Sequence, residues 1–230
     1  MANLHIDEHI STTFNEELES IKARMLEMGG TVEAQINMAL KAIEEKDTDL
    51  ADKVLHIERD VDEMEVNIDE ACTMILARRQ PTASDLRLVL SVSKTVRDLE
   101  RIGDEAAKIA KMAISLAEID SGGEGFVELR HIGNEVAAML RQSLDAYARF
   151  DASAAMEVFG RDKKVDRDYK TALRELISFM VEDPRSISRS LNVMWALRAL
   201  ERIGDHSKNI CEQVVYLVKG KDIRHVPADG

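Results

Sequence analysis

The sequence predicts an all-α protein: two pseudo-symmetric antiparallel three-helix bundles, six long helices in all. Three observations predict it. The first is composition. Of 230 residues, 45% are hydrophobic and 32% charged, with only 3 prolines and 4% aromatics, a balance that suits long helices and is too apolar for a disordered chain. The second is apolar spacing at helical period, without the sustained period-2 alternation of strands. The third is an internal repeat. Leu40, Ala42, Asp47, Val61 and Asp62 recur as Leu144, Ala146, Asp151, Val165 and Asp166 at an offset of 104 residues; Pro81 recurs as Pro184 at 103, and Leu90 and Val92 as Leu191 and Val193 at 101. The offset drifts only at turns, where insertions cost little.

The elements follow in order. Helical spacing runs through Phe14, Leu18, Ile21, Met25 and Met28, and resumes as Val32, Ile36, Ala39, Leu40 and Ile43. Gly29-Gly30 between them predicts a bend or a close approach by another helix. Asp47-Thr48-Asp49 reads as a turn with an N-cap. A second helix carries Leu50, Val54, Ile57, Val61, Met64, Ile68, Cys72 and Ile75, and Pro81-Thr82 stops it. Thr82 or Ser84 caps a third helix through Leu86, Val89, Leu90, Ile102, Ile109 and Ile114. Ser121-Gly122-Gly123-Glu124-Gly125 reads as the flexible segment of the chain. A fourth helix runs from Phe126 to about Arg149, and Asp151-Ala152-Ser153 repeats the Asp47 turn. A fifth helix carries Met156, Val158, Val165, Leu173 and Ile177 and stops at Asp183-Pro184; a sixth covers Ile187 to about Val218. Helices of ~30 residues are ~45 Å long and pack as antiparallel bundles. The predicted organisation is a first bundle over residues 1–120, a linker at 121–125, a second bundle over 126–220 and a tail at 221–230.

Charge and motif content bound the function. The chain has 43 acidic and 31 basic residues, a net charge of −12, which argues against a nucleic-acid partner; so does the scarcity of aromatic stacking platforms. The N-terminal stretch lacks a basic start followed by an apolar core, so no signal peptide is expected, and no run approaches the ~18 apolar residues of a membrane span. Cys72 and Cys211 lie in apolar stretches without metal-ligand spacing and read as buried, reduced thiols; the spacing gives no reason to pair them.

The strongest signal is an octapeptide that occurs twice. Residues 97–104 read Arg97-Asp98-Leu99-Glu100-Arg101-Ile102-Gly103-Asp104, and residues 198–205 read Arg198-Ala199-Leu200-Glu201-Arg202-Ile203-Gly204-Asp205; seven of eight positions agree. Core packing alone preserves apolar character, not identical charges. Glu100 and Asp104, like Glu201 and Asp205, are spaced i, i+4 and share a helix face. Two carboxylates there repel unless an arginine (Arg97, Arg101, Arg198 or Arg202) or a bound cation lies between them. Gly103 and Gly204 cost roughly 0.5–1 kcal/mol in a helix interior, which suits close helix approach or room for hydrated ions. Hard divalent cations prefer such oxygen ligands. Further acids stand on the preceding helices: Asp62, Glu65 and Asp69 in one half, Asp162, Asp166 and Asp168 in the other. Asp62 and Asp166 are matched and are candidate third ligands. A solvated ion-pair lattice is the structural alternative.

Weaker signals add little. Glu128-Leu129-Arg130-His131 is a single Glu-x-x-His, where di-iron bundles need two, and it reads as surface. The remaining histidines are scattered, and no phosphate loop, nucleophile elbow or Cys-x-x-Cys is present. The Val214–Lys221 stretch reads as a helix end docked on the bundle, with Lys219 complementing the helix dipole.

At the paired Leu-Glu-Arg-Ile-Gly-Asp segments the chain resembles the PhoU family of bacterial phosphate transport accessory proteins. Glu17–Ile21, Ile68–Cys72, Arg79–Val89, Asp162–Asp166 and Val218–Gly220 carry the same resemblance, which covers nearly the whole chain. It implies two three-helix bundles, in agreement with the repeat. It also implies that the family's Glu/Asp-x-x-x-Asp signature falls on Glu100 and Asp104 and on Glu201 and Asp205, where a multinuclear or divalent metal (Mg, Mn, Zn or Fe) can sit. The implied role is a cytoplasmic, non-enzymatic adaptor, often a homodimer. Its implied partners are the ATPase subunit of the phosphate ABC importer and the phosphate sensor histidine kinase, with membrane contact only peripheral, through them. Such an adaptor represses the phosphate-starvation response and restrains uptake when phosphate is plentiful. Asp98 has no acidic counterpart at Ala199, which predicts two sites of unequal affinity or nuclearity. A di-metal carboxylate metalloenzyme and a purely structural scaffold are the competing readings.

Overall fold

The computed structural model describes residues 12–81, 83–119 and 126–223. Six long helices account for nearly all of them: α1 Thr12–Glu45, α2 Thr48–Arg79, α3 Ala83–Ala117, α4 Phe126–Ala148, α5 Ala152–Glu182 and α6 Ile187–Lys219. A 3-10 turn, Pro184–Ser186, leads into α6. No strand occurs among the described residues. Helices α1, α2 and α3 pack mutually as one bundle, and α4, α5 and α6 as the other.

The first turn of each half has the same chemistry. Lys46 and Phe150 take the left-handed conformation, with φ of 54° and 53°. The next amide reaches back across the helix end, from Asp47 to the Ala42 carbonyl at 3.0 Å and from Asp151 to the Ala146 carbonyl at 2.9 Å, which satisfies a carbonyl that the finished helix would leave without a donor. The same aspartate then caps the next helix. Asp47 accepts from the Leu50 amide at 2.9 Å, and Asp151 from the Ser153 and Ala154 amides at 3.0 Å. One residue thus ends one helix and starts another. Gln80, left-handed at φ 47°, ends α2 before Pro81. Asp183 ends α5 and accepts from the Arg185 amide at 3.0 Å, which opens the 3-10 turn at Pro184.

Gly29-Gly30 does not interrupt α1, which is one continuous helix. Gly29 instead receives a side chain from α4: a Cβ there would stand 2.6 Å from Leu144 Cδ1, while at Gly133 a Cβ would stand 2.5 Å from Leu40 Cδ2. Gly133 and Leu144 are the repeat partners of Gly29 and Leu40, so the α1/α4 crossing is a reciprocal knob-and-notch pair. Three expected core residues lie outside: Leu86, Met156 and Ile177 are exposed. The inward stripe of α5 instead passes through Ala155, Val158, Val165, Ala172 and Leu176. Cys72 and Cys211 are buried free thiols, and burial pushes both up to about 12. The C-terminal end of α6 is docked through Val214, Val215 and Leu217. The expected Thr82 cap and the segment 121–125 lie outside the described residues, as do 1–11 and 224–230.

Candidate functional site

The two motif copies lie mid-helix on α3 and α6, and these helices form the seam between the bundles, with the most extensive contact of any helix pair described. They run antiparallel. Arg87 Nε donates to the Leu217 carbonyl at 3.4 Å, His206 Nδ1 lies 2.9 Å from Asp98 Oδ1, Asn209 donates to the same oxygen at 3.0 Å, and Arg202 Nε pairs with Glu105 at 3.0 Å. Asp98 therefore belongs to the seam and not to the first carboxylate cluster. Its lack of an acidic partner at Ala199 marks an asymmetry of the interface rather than of the two sites.

Each motif presents its acids to the preceding helix. In the first half Glu58, Asp62 and Glu65 occupy one face of α2 by their i, i+4, i+7 spacing, opposite Glu100 and Asp104 on α3. Burial raises the Glu58 carboxyl above its ordinary range, and its hydrogen bond with Asp104 and the charges of Asp104 and Asp62 raise it further, against an opposing pull from Lys111. Glu100 is raised by burial and then by Asp104, Glu65 and Asp62. Five carboxylates thus feel one another. Arg97 and Arg101 act on Glu65, and Arg101 on Glu100, through the longer-range field; neither forms an ion pair with the cluster among the described residues. Asp69 is committed elsewhere and accepts from Ser93 Oγ at 2.6 Å.

In the second half Asp162 and Asp166 on α5 oppose Glu201 and Asp205 on α6. Burial, then the Asp205 charge, raises Glu201, although Arg198 holds both its oxygens at 2.8 and 2.7 Å. Asp205 is raised by burial and then by Asp162, with Lys208 pulling the other way. Lys208 Nζ donates to Asp162 Oδ2 at 2.6 Å and lies 5.4 Å above the Phe159 ring. Asp168 faces α4 and approaches His131 at 3.5 Å, and His131 is exposed, as the isolated Glu-x-x-His predicts.

Of the motif glycines, Gly103 is the more closely packed. A Cβ on Gly103 would stand 3.2 Å from Gln35 Oε1 and 3.3 Å from Val61, whereas on Gly204 it would meet Val165 and Val136 at 3.5 and 3.6 Å. Gln35 is fully buried. Its amide nitrogen donates to the Val54 carbonyl at 3.3 Å, and its Oε1 has no hydrogen-bond partner. Sequence reasoning missed Glu58, Lys208 and Gln35. The first was within reach, because Glu58 and Asp162 stand 104 residues apart, at the offset that matched Asp62 to Asp166.

Chemically, both clusters are carboxylate-oxygen sets, the donor type that hard divalent cations take. Among the described residues no group of three or more His, Cys, Asp or Glu side chains is already arranged to hold a metal ion. A cation could be held there only after rotamer changes of long side chains such as Glu58 and Glu100, or through bridging waters.

Comparison with known proteins bears on the same segments. A family model described as the PhoU domain matches residues 25–113 and 129–214, one match per bundle. The phosphate-specific transport system accessory protein PhoU homolog of Pseudomonas aeruginosa is 58% identical over 218 residues, 95% of this chain and 90% of that protein. The crystal structure of PhoU from the same organism superposes with a TM-score of 0.89 and covers 90% of this chain and 100% of that one. The phosphate transport system regulatory protein PhoU of Streptococcus pneumoniae, 31% identical, superposes with a TM-score of 0.84 over 91% of this chain and 98% of that one.

Proposed function

The chain belongs to the PhoU family, and from that membership we propose that it is a regulatory adaptor of phosphate homeostasis rather than an enzyme. In this reading it works in the cytoplasm as a homodimer. It couples the ATPase subunit of the phosphate ABC importer to the phosphate sensor histidine kinase, so that plentiful phosphate represses the starvation response and restrains uptake. The observation that carries the reading is the match over 95% of the chain to a relative named as an accessory protein of phosphate-specific transport. Among the described residues no helix is long and apolar enough to cross a membrane, which accords with contact made peripherally, through those partners.

The duplicated clusters supply the metal part of the proposal. Asp62, Glu100 and Asp104, joined by Glu58, would hold a divalent cation (Mg, Mn, Zn or Fe) between α2 and α3; Asp166, Glu201 and Asp205, joined by Asp162, would do so between α5 and α6. A cation bound there neutralises carboxylates that now raise one another's affinity for protons. The chain's own contribution is to fix the acids on two packed helices, drawn most closely together at Gly103, where an added Cβ would crowd Val61.

Deleting the gene in its host tests the regulatory reading. Phosphate-starvation genes are expected to be expressed constitutively in high phosphate, and normal repression without the protein overturns it. The metal part is tested separately, by metal analysis of untagged protein beside an E100Q/D104N variant. Metal retained equally by both overturns the assignment of the first cluster.

A further inference from the structure

The two clusters differ at one matched position. Along the motif helices the repeat offset is 101, so Lys208 corresponds to Ala107. Ala107 is buried and brings no charge, whereas Lys208 brings an ammonium into hydrogen bond with Asp162, the counterpart of Glu58. We propose that Lys208 is a tethered cation that fills the second carboxylate cluster, so that divalent metal loads the first cluster at much lower concentration than the second. This rests on the metal reading given above and goes beyond it by making the two sites unequal.

Geometry carries the inference. The ammonium is held from two sides by α5, 2.6 Å from Asp162 Oδ2 and 5.4 Å over the Phe159 ring. It reaches the fields of Asp205 and Glu212 as well. A metal entering the second cluster must displace this charge from Asp162, whose buried carboxylate then gives up a strong charge-assisted bond. Among the described residues of the first half no lysine bonds an acid of the cluster: Lys108, beside Ala107, pairs with Glu105 at 3.0 Å, Arg101 acts on Glu100 only through its field, and Lys111 stands one turn beyond Ala107. Its side chain is exposed and acts on Glu58 only through its field.

A second difference between the halves lies behind the first motif. The buried Gln35 Oε1 has no donor and lies against Gly103, the residue before Asp104. The repeat counterpart of Gln35 is Met139, which has no such acceptor.

The test is a Mn²⁺ titration of the full chain by calorimetry, with wild type, K208A, K208Q and E100Q/D104N compared at one pH and ionic strength. Circular dichroism checks that each variant is folded, and K208Q keeps most of the side-chain stem should K208A unfold. The expected wild-type result is one tight class of sites, lost in E100Q/D104N. Removing Lys208 is expected to tighten the second class by about tenfold or more, since a charge-assisted bond no longer opposes it. Two equal classes in wild type, or a second class unmoved by both Lys208 substitutions, overturn the proposal. Absence of Mn²⁺ binding in wild type and in both Lys208 variants overturns the metal reading itself, a result distinct from equal loading.

Discussion

The α2/α3 cluster and the α5/α6 cluster share a backbone plan and differ in how their charge is opposed. Both place a Glu-x-x-x-Asp face against two matched acids on the preceding helix, and both put glycine where the motif helix faces a neighbouring valine, Val61 or Val165. Within that common frame the first cluster holds five carboxylates and leaves Glu58 and Glu100 raised by their neighbours. The second replaces Glu65 by Tyr169 and Ala107 by Lys208, and Arg198 closes on Glu201. The lesson is that duplication preserves geometry more faithfully than electrostatics. Turns, caps and packing notches are constrained by the whole bundle, while a charge can be exchanged for its opposite at a matched position, as the exposed Lys111 and the buried Glu212 show.

The comparison breaks first where the halves are most alike. Gly29 receives Leu144 and Gly133 receives Leu40 at nearly equal separations, so Gly29→Val and Gly133→Val should cost the same. Inserting a β-branched side chain into either notch forces apart two packed helices, and each substitution is expected to lose roughly 2–3 kcal/mol in urea unfolding. A difference between them of more than about 0.5 kcal/mol, the scale on which independent sites are resolved, would mean that the reciprocity is only approximate.

Opposite signs are expected at the next pair of matched positions. Asp162→Asn leaves Lys208 without its carboxylate and should destabilise the metal-free protein by about 1–2 kcal/mol, toward the lower end for hydrogen bonds to charged groups because Lys208 is only partly buried. Glu58→Gln removes a repelling charge and should stabilise it by roughly 0.2–0.5 kcal/mol. The pH dependence separates this gain from a packing effect. The Glu58 carboxyl is raised from 4.5 on folding, chiefly by burial and then by Asp104. The folded state therefore holds that proton more tightly than the unfolded chain, and stability falls as pH rises from about 4.5 through the folded value. The advantage of Glu58→Gln is present above that window and vanishes below it. Chelator-treated protein unfolded in urea at pH 4 and pH 7 gives both numbers, and a gain that persists at pH 4 would remove electrostatics as its cause.

Much of this arrangement was legible in the sequence because it is local or periodic. The Asp47 and Asp151 caps, the proline stops and the 104-residue offset require only a short window or a self-comparison. The motif acids were legible because identical charges at matched positions are not demanded by packing. Register across helices was not. Leu86, Met156 and Ile177 satisfy a helical period as well as Leu88, Val158 and Leu176 do, and only the neighbour's surface decides which stripe turns inward. Asp98 was misread for the same reason: its sequence position joins it to Glu100, but a helix turns ~200° in two residues, at 3.6 residues per turn, which carries it from the cluster to the seam with His206 and Asn209.

The finest difference between the halves lies at the motif glycines. At Gly204 an added Cβ meets Val165 at 3.5 Å and Val136 at 3.6 Å, ordinary contact distances, so Gly204→Ala should recover helix propensity and raise stability by about 0.5–1 kcal/mol. At Gly103 the same methyl would lie 3.2 Å from Gln35 Oε1 and 3.3 Å from Val61. It would have to push a buried amide that Val54 already holds, and the methyl presents no donor to its unpartnered oxygen. The propensity gain is then offset by crowding, and Gly103→Ala should leave stability unchanged or lower it. Urea midpoints of the two variants decide the matter. Equal gains at both positions would show that Gln35 yields freely and that the first half is no more tightly closed around its motif than the second. A gain at Gly204 alone would locate the tighter α1/α2/α3 contact behind the cluster that has no counterpart of the Lys208–Asp162 bond.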